Sequence, residues 1–253
     1  MKKIIIVLLC VFSILRGYIV YDKSDGVSGL REDIGLEIKA RSNPKLRTIL
    51  NNKNQYPDAM IQSLYRNEEL IDFVYNYPSK KGHVYANTIG SITKGRYPLL
   101  LQYDQRWGYG RYGNNVIGMN GCGPTSAAMI IAGLTGRNNI TPYDVASYAY
   151  SHGYYQDGTS WSFFTKGMKH YGIHGRNIPF SYSSMKNEIM NGRPLICSMK
   201  PGDFTTTGHL IVIKGMKQGM FMVNDPNSIK RSNRLWSYDT LSKQIRNIWS
   251  FSK

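Results

Sequence analysis

The chain has 253 residues, with 32 Lys+Arg against 16 Asp+Glu and a formal net charge of +16. Hydrophobic residues make up 42%, with Gly 25 and Pro 10. That composition excludes disordered, collagenous and coiled-coil classes and leaves one or two domains with a core. Cys10, Cys122 and Cys197 are too few for a disulfide scaffold or a four-cysteine zinc site. Lys and Arg are scattered from Lys2 to Lys253 with no run longer than two. Such scatter suits solubility near anionic polymers, or an anionic cell-wall or membrane surface, better than a specific nucleic-acid partner. A monomer is expected.

Met1-Lys2-Lys3 is followed by Ile4 to Leu15, apolar apart from Ser13. A basic start and an apolar stretch of this length fit a secretory signal, and Arg16 cuts the stretch short of a comfortable bilayer span. No clear small-x-small cleavage site follows, so 1–23 is read as a signal peptide or an uncleaved N-terminal anchor. The expected location is outside the cell, secreted or at its surface. Residues 24–95 read as a small helical extension packing on the remainder of the chain. Helical spacing runs over Asn43–Asn54 and again over Tyr56–Tyr77, where Pro78 is expected to end it.

From about residue 96 the texture changes. Leu99-Leu100-Leu101 reads as a buried strand, and the Gly-rich stretch Trp107 to Gly121 as loop. Its Tyr and Trp residues either line a cleft or, more simply, pack beneath the loop. Helices are expected over Thr125–Leu134, closed by Gly136, from Thr141-Pro142 to before Gly153, over Ser160–Tyr171, and over Ser184–Met190. Strands follow at Leu195–Met199, His209–Lys214 and Met220–Asp225, then a helix over Asp239–Arg246 and a terminal apolar segment. Helices first and antiparallel strands afterwards make an α+β layout.

Cys122 sits in Asn120-Gly121-Cys122-Gly123-Pro124-Thr125-Ser126. The flanking glycines leave the thiol unobstructed, and a helix start offers unpaired N–H groups and a positive dipole end that favour the nucleophilic thiolate. The alternative is a small buried hydrophobe between glycines. His209 opens the alternating strand Leu210 to Ile213 and is joined to Met220-Phe221-Met222-Val223-Asn224-Asp225 through Gly215-Met216-Lys217-Gln218-Gly219, a hairpin signal. A hairpin centred on Lys217 sets His209 opposite Asp225, and a shift of one sets it opposite Asn224. In the first register a carboxylate holds the imidazole and leaves the other ring nitrogen for the thiol. Nucleophile, base and orienter are the parts of a covalent acyl-transfer site.

These residues carry a family resemblance. Gln102-Tyr103-Asp104-Gln105-Arg106-Trp107, Gly121-Cys122-Gly123-Pro124-Thr125-Ser126, Gly208-His209 and Asn224-Asp225-Pro226 resemble the papain-like cysteine peptidases of the bacteriocin-processing, double-glycine peptidase-like group. The likeness is greatest to secreted single-domain relatives from Gram-positive bacteria, and it covers about 96–253. It implies the papain-like α+β fold and an enzyme without metal or organic cofactor acting on a peptide or protein substrate. It further implies Cys122 as nucleophile, His209 as base then acid, Asp225 as orienter, and an upstream glutamine in the oxyanion hole. Gln102 fits that glutamine best and Gln105 competes with it, while the spacing to Cys122 is long for either. Cys197, inside Leu195-Ile196-Cys197, reads as a core residue. His170 and His174 are separated by Gly172 and are not expected to share a helix face, so no zinc site is assigned. Two rival readings keep the scaffold: a transpeptidase or acyltransferase in which an amine intercepts the thioester, and a non-catalytic basic cell-surface binding module.

Overall fold

The computed structural model describes residues 34–253, so the expected signal or anchor over 1–23 and Cys10 lie outside the described residues. The chain divides into two compact units, Met1–Tyr75 and Asn76–Lys253.

The described part of the first unit is helical. Beyond a helix over 34–40, α1 (Pro44–Asn51) starts with Pro44 in its first turn and Asn43 accepting the Leu46 N–H. The single helix expected over Tyr56–Tyr77 is instead α2 (Asp58–Arg66) and the beginning of α3 (Ile71–Lys80). The break is at Asn67, whose extended backbone and side chain, accepting the Glu69 N–H, offer an alternative to the helical ladder. Nor does Pro78 end α3, which continues to Lys80; the missing N–H removes one bond when only the last turn remains.

The second unit is built on a six-stranded antiparallel sheet. Before it, the Gly-rich stretch is more than loop: β1 (Arg111–Tyr112) and β2 (Asn115–Val116) form a hairpin, and α4 (Ile117–Asn120) comes next. Trp107, Tyr109 and Tyr112 are buried there, as packing rather than as a solvent-lined wall. Leu99–Leu101 is not a strand; the chain there is fastened by single bonds, among them the Gln102 N–H to the Pro226 carbonyl at 2.7 Å.

Helix α5 (Cys122–Thr135) is apolar on all sides, and Gly123 to Gly133 are buried, so it is a central helix rather than an amphipathic one. Gly136 ends it in the left-handed conformation that favours glycine. Helix α6 (Pro142–Ser151) begins with a capping box between Thr141 and Asp144. The helix expected over Ser160–Tyr171 splits into α7 (Ser162–Thr165) and a 3-10 turn Gly167–Tyr171. At the break Gly167 lies against the Phe163 ring, where a β-carbon would come 2.4 Å from a ring carbon.

The strands of the sheet are β3 (His174–Asn177), β4 (Leu195–Met199), β5 (His209–Lys217), β6 (Met220–Asn224), β7 (Leu235–Trp236) and β8 (Ile245–Ser252). They lie in the order β3-β8-β4-β5-β6-β7. Ile196, Leu210, Val212, Trp249 and Phe251 join one core with α5 and α6, while Cys197, Ile211, Ile213, Val223 and Ile248 join another with Met185 of α8 (Tyr182–Met190). Burial on both faces explains why β4 and β5 read as continuous apolar runs. Helix α9 (Ile229–Ser232) sits between β6 and β7 in the chain. The helix expected over Asp239–Arg246 stops early, as α10 (Tyr238–Ser242). The β-branched and aromatic Ile245, Ile248, Trp249 and Phe251 then pair as β8 between β3 and β4. Helices followed by an antiparallel sheet constitute the α+β fold expected.

Candidate active site

Cys122 is the first residue of α5, after Gly121 as N-cap, one turn earlier than the helix start read at Thr125. Pro124 falls within the first turn, where no intrahelical N–H bond is lost. The Cys122 thiol is partly exposed, unlike Cys197, which is fully buried in the core. Burial pushes the Cys197 thiol far above its ordinary range.

His209 opens β5 and is buried; its Nε2 donates to Oδ1 of Asp225 at 2.7 Å. Cys122 is close enough to the ring to raise the His209 pKa. With Nε2 committed to the carboxylate, Nδ1 is the nitrogen left for sulfur. Burial alone would lower the pKa of His209, but the charge and hydrogen bond of Asp225, with the nearby Cys122, raise it to about 10. Asp225 is completely buried. Desolvation would raise its carboxyl, yet His209 and Arg231 together hold it below the usual carboxylate range.

The register that brings His209 to Asp225 is neither of the two expected. The hairpin turns on Gln218-Gly219, both with positive φ, as a two-residue loop requires, and not on Lys217. Met216 then pairs with Phe221 and Gly215 with Met222, but Ile213 pairs with Val223 and Val212 with Asn224. Lys214 is the extra residue of a β-bulge. Without it, Val212 would face Asp225, leaving His209 and Asp225 on opposite faces of the hairpin. With it they share a face as diagonal neighbours, within reach of two polar side chains.

Asp225 directly follows β6 and heads the turn to α9. Its Oδ1 accepts the Asn227 N–H at 2.7 Å, its own N–H donates to Ser232 Oγ at 2.8 Å, and Ser228 caps α9. Arg231 in α9 donates from Nε to Oδ2 at 2.5 Å. Sequence reading missed Arg231, whose role depends on how the 225–228 turn swings α9 back.

Gln102 and Gln105 have separate surroundings. Gln102 is buried, and its Nε2 donates to the Gly118 carbonyl at 3.0 Å, four residues before Cys122, while its Oε1 is buried without a hydrogen-bond partner. The long spacing is absorbed by the β1–β2 hairpin and α4, which return the chain to Gly118. Gln105 points elsewhere: its Oε1 accepts from Lys80 Nζ at 2.7 Å and from Asn76 Nδ2 at 3.3 Å. Thr159 is a neighbour that sequence reading missed. A β-carbon on Gly123 would come 2.2 Å from Thr159 Oγ1, which shares a 2.7 Å hydrogen bond with the Tyr112 hydroxyl. His170 lies in the 3-10 turn and His174 on β3. Among the described residues no cluster of His, Cys, Asp and Glu has the makings of a metal site, and no helix is long and apolar enough to cross a membrane.

The sequence pattern of the Peptidase_C39 like family matches residues 94–252. The chain belongs to that family. No curated protein matches it in sequence. Similar solved structures include the peptidase domain of Streptococcus ComA, a bifunctional ABC transporter involved in a quorum-sensing pathway. It is 18% identical, with 62% of this chain and 96% of that one covered and a TM-score of 0.43. A Bacillus anthracis protein described as C39-like is 14% identical, with 63% and 96% covered and a TM-score of 0.36.

Proposed function

We propose that the chain is a cysteine peptidase that hydrolyses a peptide or related amide bond through a thioester on Cys122. One observation carries this reading: a buried His209 hydrogen-bonded to Asp225, with the partly exposed Cys122 thiol of a helix start close enough to act on its ring. A structural cysteine has no need of that chain of three.

In this reading His209 holds the proton that the Cys122 thiol has given up, and Asp225 steadies the imidazolium. The sulfur attacks the carbonyl carbon, and the oxygen takes up the negative charge. The Cys122 N–H, which has no partner one turn back in α5, donates to that oxygen with an amide hydrogen of Gln102. His209 then gives its proton to the leaving nitrogen, and the C–N bond breaks. Water attacks the thioester with His209 taking its proton, and the C–S bond breaks to return the free enzyme. The expected setting is extracellular, with a peptide or protein substrate and the +16 charge favouring an anionic wall or membrane surface.

The test is incubation of the full chain with a peptide library, read by mass spectrometry beside Cys122→Ala. Cleavage lost in the variant supports the reading. Products joined to added amines would turn it into acyl transfer, and binding without products would sink it.

A further inference from the structure

Asp225 offers two carboxylate oxygens, and only Oδ1 reaches His209. Oδ2 is taken by Arg231 Nε. The guanidinium is no casual surface group. Arg231 lies in α9, its N–H donates to the capping Ser228 Oγ at 3.1 Å, and its carbonyl accepts the Trp236 indole N–H at 3.0 Å. Trp236 is itself buried. The side chain is 20% exposed, facing a carboxylate at 0%. A fixed cation therefore lies directly behind the orienting carboxylate.

We propose that Arg231 is a positioning residue of this site, fixing Oδ2 of Asp225 and offsetting that carboxylate's charge so that His209 can release its proton to the leaving group. The inference rests on the peptidase reading above. Two physical effects combine. A carboxylate held at both oxygens cannot rotate about its Cβ–Cγ bond, so Oδ1 stays on the ring. A lone buried carboxylate beside an imidazolium would also hold the ring proton too tightly for a useful general acid, and a second cation on it weakens that hold. The ionisable groups acting on His209 are Asp225 and Cys122, and those acting on Asp225 are His209 and Arg231. Removing Arg231 leaves Asp225 to act on His209 alone.

The experiment compares the full chain with Arg231→Met, Arg231→Gln and Arg231→Lys in two measurements. The first is the NMR titration of the His209 ring, made in a Cys122→Ala background so that it needs no substrate. The second is kcat and KM against pH on a library-derived peptide. Arg231→Met should move His209 deprotonation up by about one on the pH scale. It should also lower kcat by about tenfold with KM little changed. Arg231→Lys restores the charge without the planar fork, so it should return the titration toward wild type and recover only part of kcat. If Arg231→Met does not fold, Arg231→Gln makes the same comparison, keeping a donor without its charge. A folded neutral variant with an unchanged His209 titration and unchanged kcat overturns the proposal. The two ideas fail separately. Cleavage independent of Cys122, or none at all, sinks the peptidase reading, while the ring titration still decides whether Arg231 acts on His209.

Discussion

Asn224 and Asp225 are adjacent, yet they carry different loads, and Asn224→Ala separates them. Asn224 is completely buried. Its Nδ2 donates to the Pro98 carbonyl at 2.9 Å and the Tyr97 carbonyl at 3.1 Å, while its Oδ1 accepts from Lys214 Nζ at 2.6 Å. Truncation strands two carbonyls and one half-buried ammonium. An orphaned buried group costs about 1–3 kcal/mol, and water entering beside the partly exposed Tyr97 and Pro98 recovers some of it. A loss of about 3 kcal/mol remains, or about 6–12 °C in Tm for a unit of this size. Asn224→Asp should be worse than alanine, because it keeps the acceptor for Lys214 but turns an oxygen toward two carbonyls. The assay is thermal unfolding by circular dichroism, with iodoacetamide labelling of Cys122 at about 20 °C in the same samples. Lower Tm with near-normal labelling is expected for Asn224→Ala. The reasoning is refuted if Asn224→Ala melts within about 2 °C of wild type, or if Asn224→Asp is the more stable of the two.

Three further outcomes rest on other contacts. Iodoacetamide near neutral pH should label Cys122 much faster than Cys197, whose thiol is fully buried and held in its neutral form, with peptide mapping as the readout. Gln102→Ala should lower turnover by about a hundredfold or more with substrate affinity little changed. Gln105→Ala should instead act mildly, on stability, by freeing Lys80 and Asn76; the opposite ranking in steady-state kinetics would transfer the oxyanion role. Glu188 is buried, which alone would raise its carboxyl, but hydrogen bonds from Arg193, Ser250 and Arg176 bring it to about 2. Its folded value lies below its unfolded one, so its stabilisation is complete above about pH 4.5 and disappears as pH falls toward 2. Glu188→Gln should therefore be less stable at neutral pH and flatter through that acid window in denaturant titrations.

The parts of the fold legible in the sequence are those set by local chemistry. Thr141-Pro142 announces α6, Gly136 and Gly172 mark helix ends, and the apolar runs of β4 and β5 reflect burial on both faces. Elements decided by distant partners were not legible. β8 looks like an apolar tail until β3 and β4 close on it, and the Asn67 break comes from one side chain preferring its own turn. The hairpin was visible, but its register was not, because Lys214 adds a residue without disturbing the apolar pattern. Sequence reading pairs His209 with Asp225 through a register centred on Lys217 that the structure does not have, and the bulge that puts them on one face was not legible. Arg231 gave no signal at all. Its spacing from Asp225 is meaningful only once the 225–228 turn is known.

The end of β6 explains how residues so far apart in sequence come to one place. Asn224 holds the carbonyls of Tyr97 and Pro98, Asp225 holds His209 and Arg231, and the Pro226 carbonyl receives the N–H of Gln102. Gln102 in turn reaches Gly118, whose turn runs directly into Cys122. Three consecutive residues therefore fix the base, the orienting carboxylate and the segment carrying the glutamine, and the glutamine touches the lead-in to the nucleophile. Each link is a hydrogen bond between groups that are largely buried, where a partner cannot be replaced cheaply by water. Gln102 and Asp225 are tied through Pro226, so effects of substitutions at 102 and 225 will not add as independent sites do. The geometry also gives the bulge a physical purpose. It costs the β5–β6 ladder an unpaired residue at Lys214, and in return Asp225 faces His209 while Lys214 reaches Asn224 to brace the same strand end.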